Sequence, residues 1–239
     1  MEKLTPHDLL NKRALQIQRG AARAAVLGVN DGLVSILCIV LAVAGAGAHS
    51  GNVLLAGFAG LIAGAISMAA GEWISVRAQV ELFQGVLKDI HSLIHVDKSV
   101  LVTQIAESLE AGGQSATTAQ KSAAEMAGDH NQLIKVYARQ VMGFNPDELG
   151  SPWLAAASSF ALFTLGALAP LAPWVFMNGT MAIWVSIGLT GIGSLIVGGY
   201  IGVSSGRNSI YGAMRQLAIV ALASIVTYGI GYLFGVSVG

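Results

Sequence analysis

The charge of this chain is segregated, and that segregation constrains its fold more than any other feature. All 13 lysines and arginines fall in three places: Met1 to Arg23, Arg77 to Arg139, and the Arg207 to Arg215 loop. The intervening sequence holds five apolar stretches: Ala24 to Ala48, Val53 to Val76, Trp153 to Val175, roughly Met181 to Ser204 and roughly Leu217 to Val236. Each is close to the ~20 residues that a helix needs to cross a bilayer. A backbone in lipid finds no water, so such stretches must close their own hydrogen bonds as helices. The chain is 54% hydrophobic and 11% charged, against roughly 25% charged in an average soluble domain. The pattern predicts an all-α, polytopic membrane protein of five transmembrane helices, with a small helical cytoplasmic domain between the second and third.

Orientation follows from the same charges. The loops His49 to Asn52 and Ala172 to Thr180 contain no lysine or arginine, and neither does the C-terminal tail. The positive-inside rule therefore sets the N-terminus, the middle segment and the last loop in the cytoplasm, and the C-terminus on the opposite side. A formal net charge of zero offers nothing to nucleic acid. The single cysteine, Cys38, allows no internal disulfide and no thiolate metal cluster. The polar N-terminus does not read as a secretory signal. A bacterial inner membrane or a vacuolar membrane would both suit such a chain.

Four regions are expected. Residues 1–23 form a cytoplasmic amphipathic segment, with a basic helix over Leu9 to Arg23 lying on the membrane surface. Residues 24–76 form a transmembrane hairpin, 77–151 the cytoplasmic helical domain, and 152–239 the last three spans. Within the middle region the pattern predicts helices over Val80 to Ile94, Ser99 to Glu110, Thr117 to Ala127 and Asn131 to Met142, with Pro146 and Pro152 as punctuation. The pairs Gly28/Gly32, Gly60/Gly64 and Gly198/Gly202 have the spacing that lets helices approach closely in lipid. At Gly28/Gly32 the approaching helix is expected beside a carboxylate, with a dimer mate as one candidate.

That carboxylate is Asp31, in "GVNDGLVSIL", and the only other acid within the spans is Glu72. An acid at the centre of a spanning helix costs about 2.5 to 3.5 kcal/mol on insertion scales, which makes it a candidate functional group. Taking the outer loop as centred near residues 50 and 51, a rise of about 1.5 Å per residue sets Asp31 and Glu72 within roughly 3 Å in depth. Met68 is one turn from Glu72 on the same face, and Asn30 adjoins Asp31 with a neutral oxygen. Two carboxylates close together in low dielectric either take up protons or are neutralised by a cation. Two protons and one divalent ion leave the same net charge, which is the physical basis of proton/metal exchange. Oxygen ligands suit magnesium, calcium and manganese, and a thioether shifts the preference toward transition metals.

"GVNDGLVSI" followed by "AGLIAGAISMAAGEWISVRAQ" resembles the vacuolar iron transporter family, and "NPDELGSPWLAAASSFALFTLGALAPLAPW" is similar to that family's entry into its third span. The likeness covers essentially the whole chain. It implies a homodimeric, non-enzymatic membrane transporter without a resident cofactor, moving ferrous iron and often manganese out of the cytosol in exchange for protons. It also implies a pathway along the dimer interface, lined by the residues matching Asp31 and Met68, with Glu72 matching the Gly-Glu motif. The family's cytoplasmic domain is glutamate-rich, whereas "VELFQGVLKDIHSLIHVDKSV" holds only Glu81, Asp89 and Asp97 as acids. Glu125 and Met126 resemble the family's Glu-Met element in the third cytoplasmic helix.

His91 and His95 share a helix face at i, i+4 and could hold a transition metal, or could sit on an ordinary solvated helix. Other readings also stay open on the residues alone. One is transport of a different divalent ion. Another is a non-transporting structural protein in which Asp31 and Glu72 only fix helix register. An intramembrane enzyme finds no support, since Ser35, Ser67 and Ser194 have no histidine partner at matching depth.

Overall fold

The computed structural model describes residues 20–238, with side chains described over 26–235. The surface helix expected over Leu9 to Arg23 lies outside the described side chains. The described chain is helical: α1 Gly20–Gly45, α2 Ser50–Ala111, α3 Ala116–Met126, α4 His130–Gln140, a 3-10 turn Pro146–Glu148, α5 Pro152–Leu171, α6 Pro173–Phe176, α7 Gly179–Ser204 and α8 Ser209–Val238. Five of these helices are long and apolar enough to cross a membrane: α1 over Val26–Gly45, α2, α5, α7, and α8 over Ser209–Gly235. The chain divides into two compact units, one reaching up to Trp73 and resuming at Trp153, the other Ile74–Pro152.

In the first unit, local chemistry decides where the helices stop. Gly47 takes a φ of +80°, a left-handed conformation that favours glycine, so α1 ends at Gly45. Its last carbonyls are capped by Gly47 N–H to Ala44 and Ala48 N–H to Val43. The turn is thus centred near residues 47 and 48, about three residues before the expected centre. The third span was expected to run to Val175. Instead α5 stops at Leu171 and Val175 falls in α6, because Pro173 has no N–H with which to continue the helix.

The core of this unit joins Ile36, Leu37, Val40 and Leu41 of α1 to Val53, Leu61 and Ala65 of α2, with Phe163 and Leu171 of α5 and Val220 of α8. Three helix crossings bring backbone onto backbone, the α1–α8 crossing among them, where a Cβ at Gly231 would lie 2.0 Å from the Ala42 carbonyl oxygen. A Cβ at Gly32 would lie 2.1 Å from the Phe163 carbonyl oxygen, and one at Gly166 would lie 2.2 Å from that of Val29. Likewise a Cβ at Gly198 would meet the Gly212 carbonyl oxygen at 2.5 Å, and one at Gly212 the Gly198 oxygen at 2.3 Å. Lipid offers little hydrophobic drive between helices, so this close van der Waals approach supplies much of the association. The helix that Gly28 and Gly32 admit is α5 of the same chain, where Gly28 faces Leu162 and Gly32 faces Phe163.

The second unit is a small helical cluster around Ile90, Leu101, Ile105, Ala119, Ala123, Leu133 and Tyr137. Within α2, Asp97 is non-helical at φ −154° and ψ 88°. Its Oδ1 accepts from the Ser99 N–H at 3.0 Å and the Ser99 hydroxyl at 2.5 Å, capping the helix that resumes there. Ser115 and Asp129 cap α3 and α4 in the same way, accepting from Thr118 N–H and Gln132 N–H. Lys135 and Arg139 each bond Asp147 at 2.8 Å, and the Lys135 hydrogen bond is the main cause holding the Asp147 carboxyl below its ordinary value.

The crossing geometry makes a direct prediction. Gly32→Val should abolish a monodisperse folded preparation of the full chain in detergent, or lower its Tm steeply. Gly71→Ala, at a position where a Cβ meets nothing within 4 Å, should leave it unchanged. Equal behaviour of the two variants would show that the α1–α5 crossing does not limit stability.

Candidate intramembrane metal site

Asp31 is half-buried on α1, one residue before the crossing at Gly32. Its Oδ1 accepts a hydrogen bond from the Ser35 hydroxyl one turn on, at 2.6 Å. Among the described residues, its second carboxylate oxygen accepts no hydrogen bond. Asn30 is also half-buried, and its Oδ1 accepts from the Gln216 side-chain amide of α8. Gln216 is only 5% exposed, so the pair is an interhelical polar lock. Gln216 is the residue that motif reading missed. Its only sequence signal is a lone amide in an otherwise apolar run after Arg215.

Met68 is half-buried and packs against the core of the first unit. The helix register sets its depth. A Cβ at Gly57 would touch Val40, and one at Gly60 would touch Ile39 and Ile36. In that antiparallel register Asp31 is level with the turn around Ile66, so Met68 lies within roughly 3 Å of its depth. Glu72 lies roughly 9 Å nearer the helix end, rather than at the same depth. The reason is the early turn at Gly47, which moves the hairpin's centre toward α1. Side chains lean toward their own helix N-termini, so Asp31 and Glu72 tip toward each other across part of that offset.

Glu72 adjoins an aromatic pair. The rings of Trp73 and Trp153 meet edge to face with centroids 5.7 Å apart. Tryptophans of this kind gather at the membrane–water boundary. Thr190 and Ser194 of α7 are fully buried, with hydroxyls that have no hydrogen-bond partner among the described residues. Ser186, one turn before Thr190, bonds the Pro170 carbonyl at 2.8 Å.

In the second unit, His91 and His95 are both exposed, with their Nε2 atoms 3.4 Å apart. The ring of His130, a residue that the sequence reading did not select, stacks on His95 with centroids 6.2 Å apart. Glu125 is exposed, while Met126 packs against the unit's core. Among the described residues, no group of three or more histidines, cysteines, aspartates or glutamates is arranged to hold a metal ion. By helix register, Asp31 and Met68 fall at about one level and Glu72 about two turns away along α2, while His91 meets His95.

Comparison with known proteins bears on this arrangement. A sequence model described as the VIT family matches residues 22–232. Vacuolar iron transporter homolog 2 of Oryza sativa subsp. japonica is 33% identical over 218 residues, covering 89% of this chain and 89% of that protein. The vacuolar iron transporter of Acanthamoeba castellanii is 29% identical over 220 residues, covering 90% of this chain and 78% of that protein.

Proposed function

The chain belongs to the VIT family, and from that premise we propose that it carries ferrous iron or manganese out of the cytosol in exchange for protons. The family is one of membrane transporters, and relatives bear the name vacuolar iron transporter. The observation that carries the mechanistic reading is Asp31: a half-buried carboxylate inside a spanning helix, held at one oxygen by Ser35 and open at the other.

The chemistry runs in two stages. Glu72, beside the Trp73–Trp153 boundary, meets the hydrated ion first and offsets part of its charge. Asp31 and Met68, deeper and at one level, then supply a hard oxygen and a soft sulfur. That mixed pair favours ferrous iron and manganese over calcium, since the thioether adds nothing for a hard ion. Asn30 holds α8 in place through Gln216 and presents its remaining carbonyl lone pair beside Asp31. Returning protons restore the same net charge to the emptied carboxylates. A homodimer, with Asp31 and Met68 from each copy, would raise the donor number to what a transition ion needs.

The second unit adds a receiving surface. Two nitrogens at 3.4 Å match the edge of a tetrahedral ion whose nitrogen ligands lie about 2.0 to 2.1 Å from the metal. His91 and His95 therefore form a two-donor edge for a transition ion, with Glu125 as an exposed carboxylate of the same unit.

Three outcomes test this reading. Full-length protein in liposomes should take up ferrous iron or manganese when driven by a proton gradient, and Asp31→Ala should abolish that uptake. Surviving uptake in the variant would remove Asp31 from the mechanism, and no wild-type uptake of iron, manganese, cobalt, zinc or calcium would remove the function. Met68→Leu should cut transition-metal uptake about tenfold or more while the protein stays folded; unaltered flux, or an unfolded variant, would reduce Met68 to packing. Titration with cobalt(II) should give the visible absorption of a nitrogen-ligated ion, lost in the combined His91→Ala and His95→Ala variant. An identical spectrum in that variant would dismiss the histidine edge.

A further inference from the structure

The last basic segment, between α7 and α8, is not used by the transport reading. A cavity of about 370 Å³ opens there, with Gly202 and Gly212 as its floor and Ser205, Arg207, Tyr211 and Arg215 around it. The floor is bare backbone because the two helices touch at that level: a Cβ at Gly202 would lie 2.9 Å from the Asn208 carbonyl oxygen. Gly206, at φ +67°, turns the chain sharply and keeps the two arginines on one short connection. The cavity exists because glycines hold the helix ends together while the long side chains of Arg207, Tyr211 and Arg215 stand around them.

Its charge is uncompensated. Arg207 and Arg215 are exposed, and neither forms one of the ion pairs found among the described residues. No aspartate or glutamate follows Glu148 anywhere in the chain. The last three spanning helices thus bring no carboxylate of their own to the guanidinium pair. A guanidinium presents a planar fork of donors that matches phosphate oxygens, and basic pockets between spanning helices at the membrane surface are suited to lipid headgroups. The surroundings favour a lipid over a free ion. Tyr200 and Tyr211 are exposed at the same end of the hairpin, as aromatic rings at a bilayer boundary are. Val203, Ile210 and Met214 are exposed beside the cavity and offer apolar surface to acyl chains.

We infer that the α7–α8 end of the bundle is a binding site for the phosphate headgroup of an anionic phospholipid, held by Arg207 and Arg215 over the glycine floor. The site shares no residue with the proposed metal path, so it stands or falls separately from the transport reading. The test is thermal unfolding of the full chain in neutral detergent, with phosphatidylglycerol, phosphatidylcholine or inorganic phosphate added. Phosphatidylglycerol should raise Tm by about 5 °C, and phosphatidylcholine and phosphate should not. The gain should vanish in the Arg207→Gln/Arg215→Gln variant and persist in Lys88→Gln/Lys121→Gln, which removes the same charge from the second unit. Native mass spectrometry of Arg215→Gln alone gives a second reading, with fewer phosphatidylglycerol molecules retained than in wild type. An equal gain with phosphatidylcholine, a gain from phosphate alone, or an undiminished gain and undiminished lipid retention in the arginine variants would each overturn the inference.

Discussion

The membrane unit depends on the contact of α1 with α5 at Gly32 and Gly166. There, each helix presents a missing side chain to the other's carbonyl oxygen. Lipid gives two apolar helices little reason to prefer each other over its own tails, so packing at van der Waals distance must do what water does for a soluble core. Any larger residue at Gly32 would wedge the helices apart at the level of Asp31. The carboxylate sits where it does because glycine stands beside it. The Ser35 hydroxyl then fixes one of its oxygens, and the Asn30–Gln216 amide pair ties α1 to α8 within the same turn.

Polar groups elsewhere in the bundle follow a consistent pattern. Most are small and close to backbone: Ser186 on the Pro170 carbonyl, Ser224 on Val220, Thr227 on Ala223. These bonds satisfy groups that lipid could not. Asp31 differs, since among the described residues only one of its oxygens is engaged, by the Ser35 hydroxyl. Thr190 and Ser194 differ as well, as buried hydroxyls without a partner among the described residues. Departures of this kind from full satisfaction mark places where a protein keeps capacity for something else, whether water, an ion or a proton.

Much of the architecture was legible along the chain. Apolar runs separated by charge located the five long helices, because a 20-residue apolar stretch has few ways to exist besides crossing a bilayer. The motif around Asp31 and the run from Met68 to Glu72 were legible as chemistry, because acids and thioethers are rare and costly in such stretches. The helix ends were less so. The α1 terminus turned on one glycine with positive φ, and the α5 terminus on Pro173. Those two local choices moved the hairpin centre and with it the relative depths of Asp31 and Glu72.

The sequence by itself determined that the chain is helical and spans a membrane, that Asp31 is buried in apolar company, and that basic charge gathers on alternate connections. These follow from the transfer energies of single residues and short runs, which act locally. Only the tertiary structure decided that Gly32 faces Phe163 of its own chain, that Asn30 meets Gln216, and that two arginines surround a glycine-floored cavity. Each of those is a matter of helix register and rotation. A shift of one residue turns a helix face by about 100°, at a cost that depends on every neighbour at once, so no local pattern along the chain specifies it.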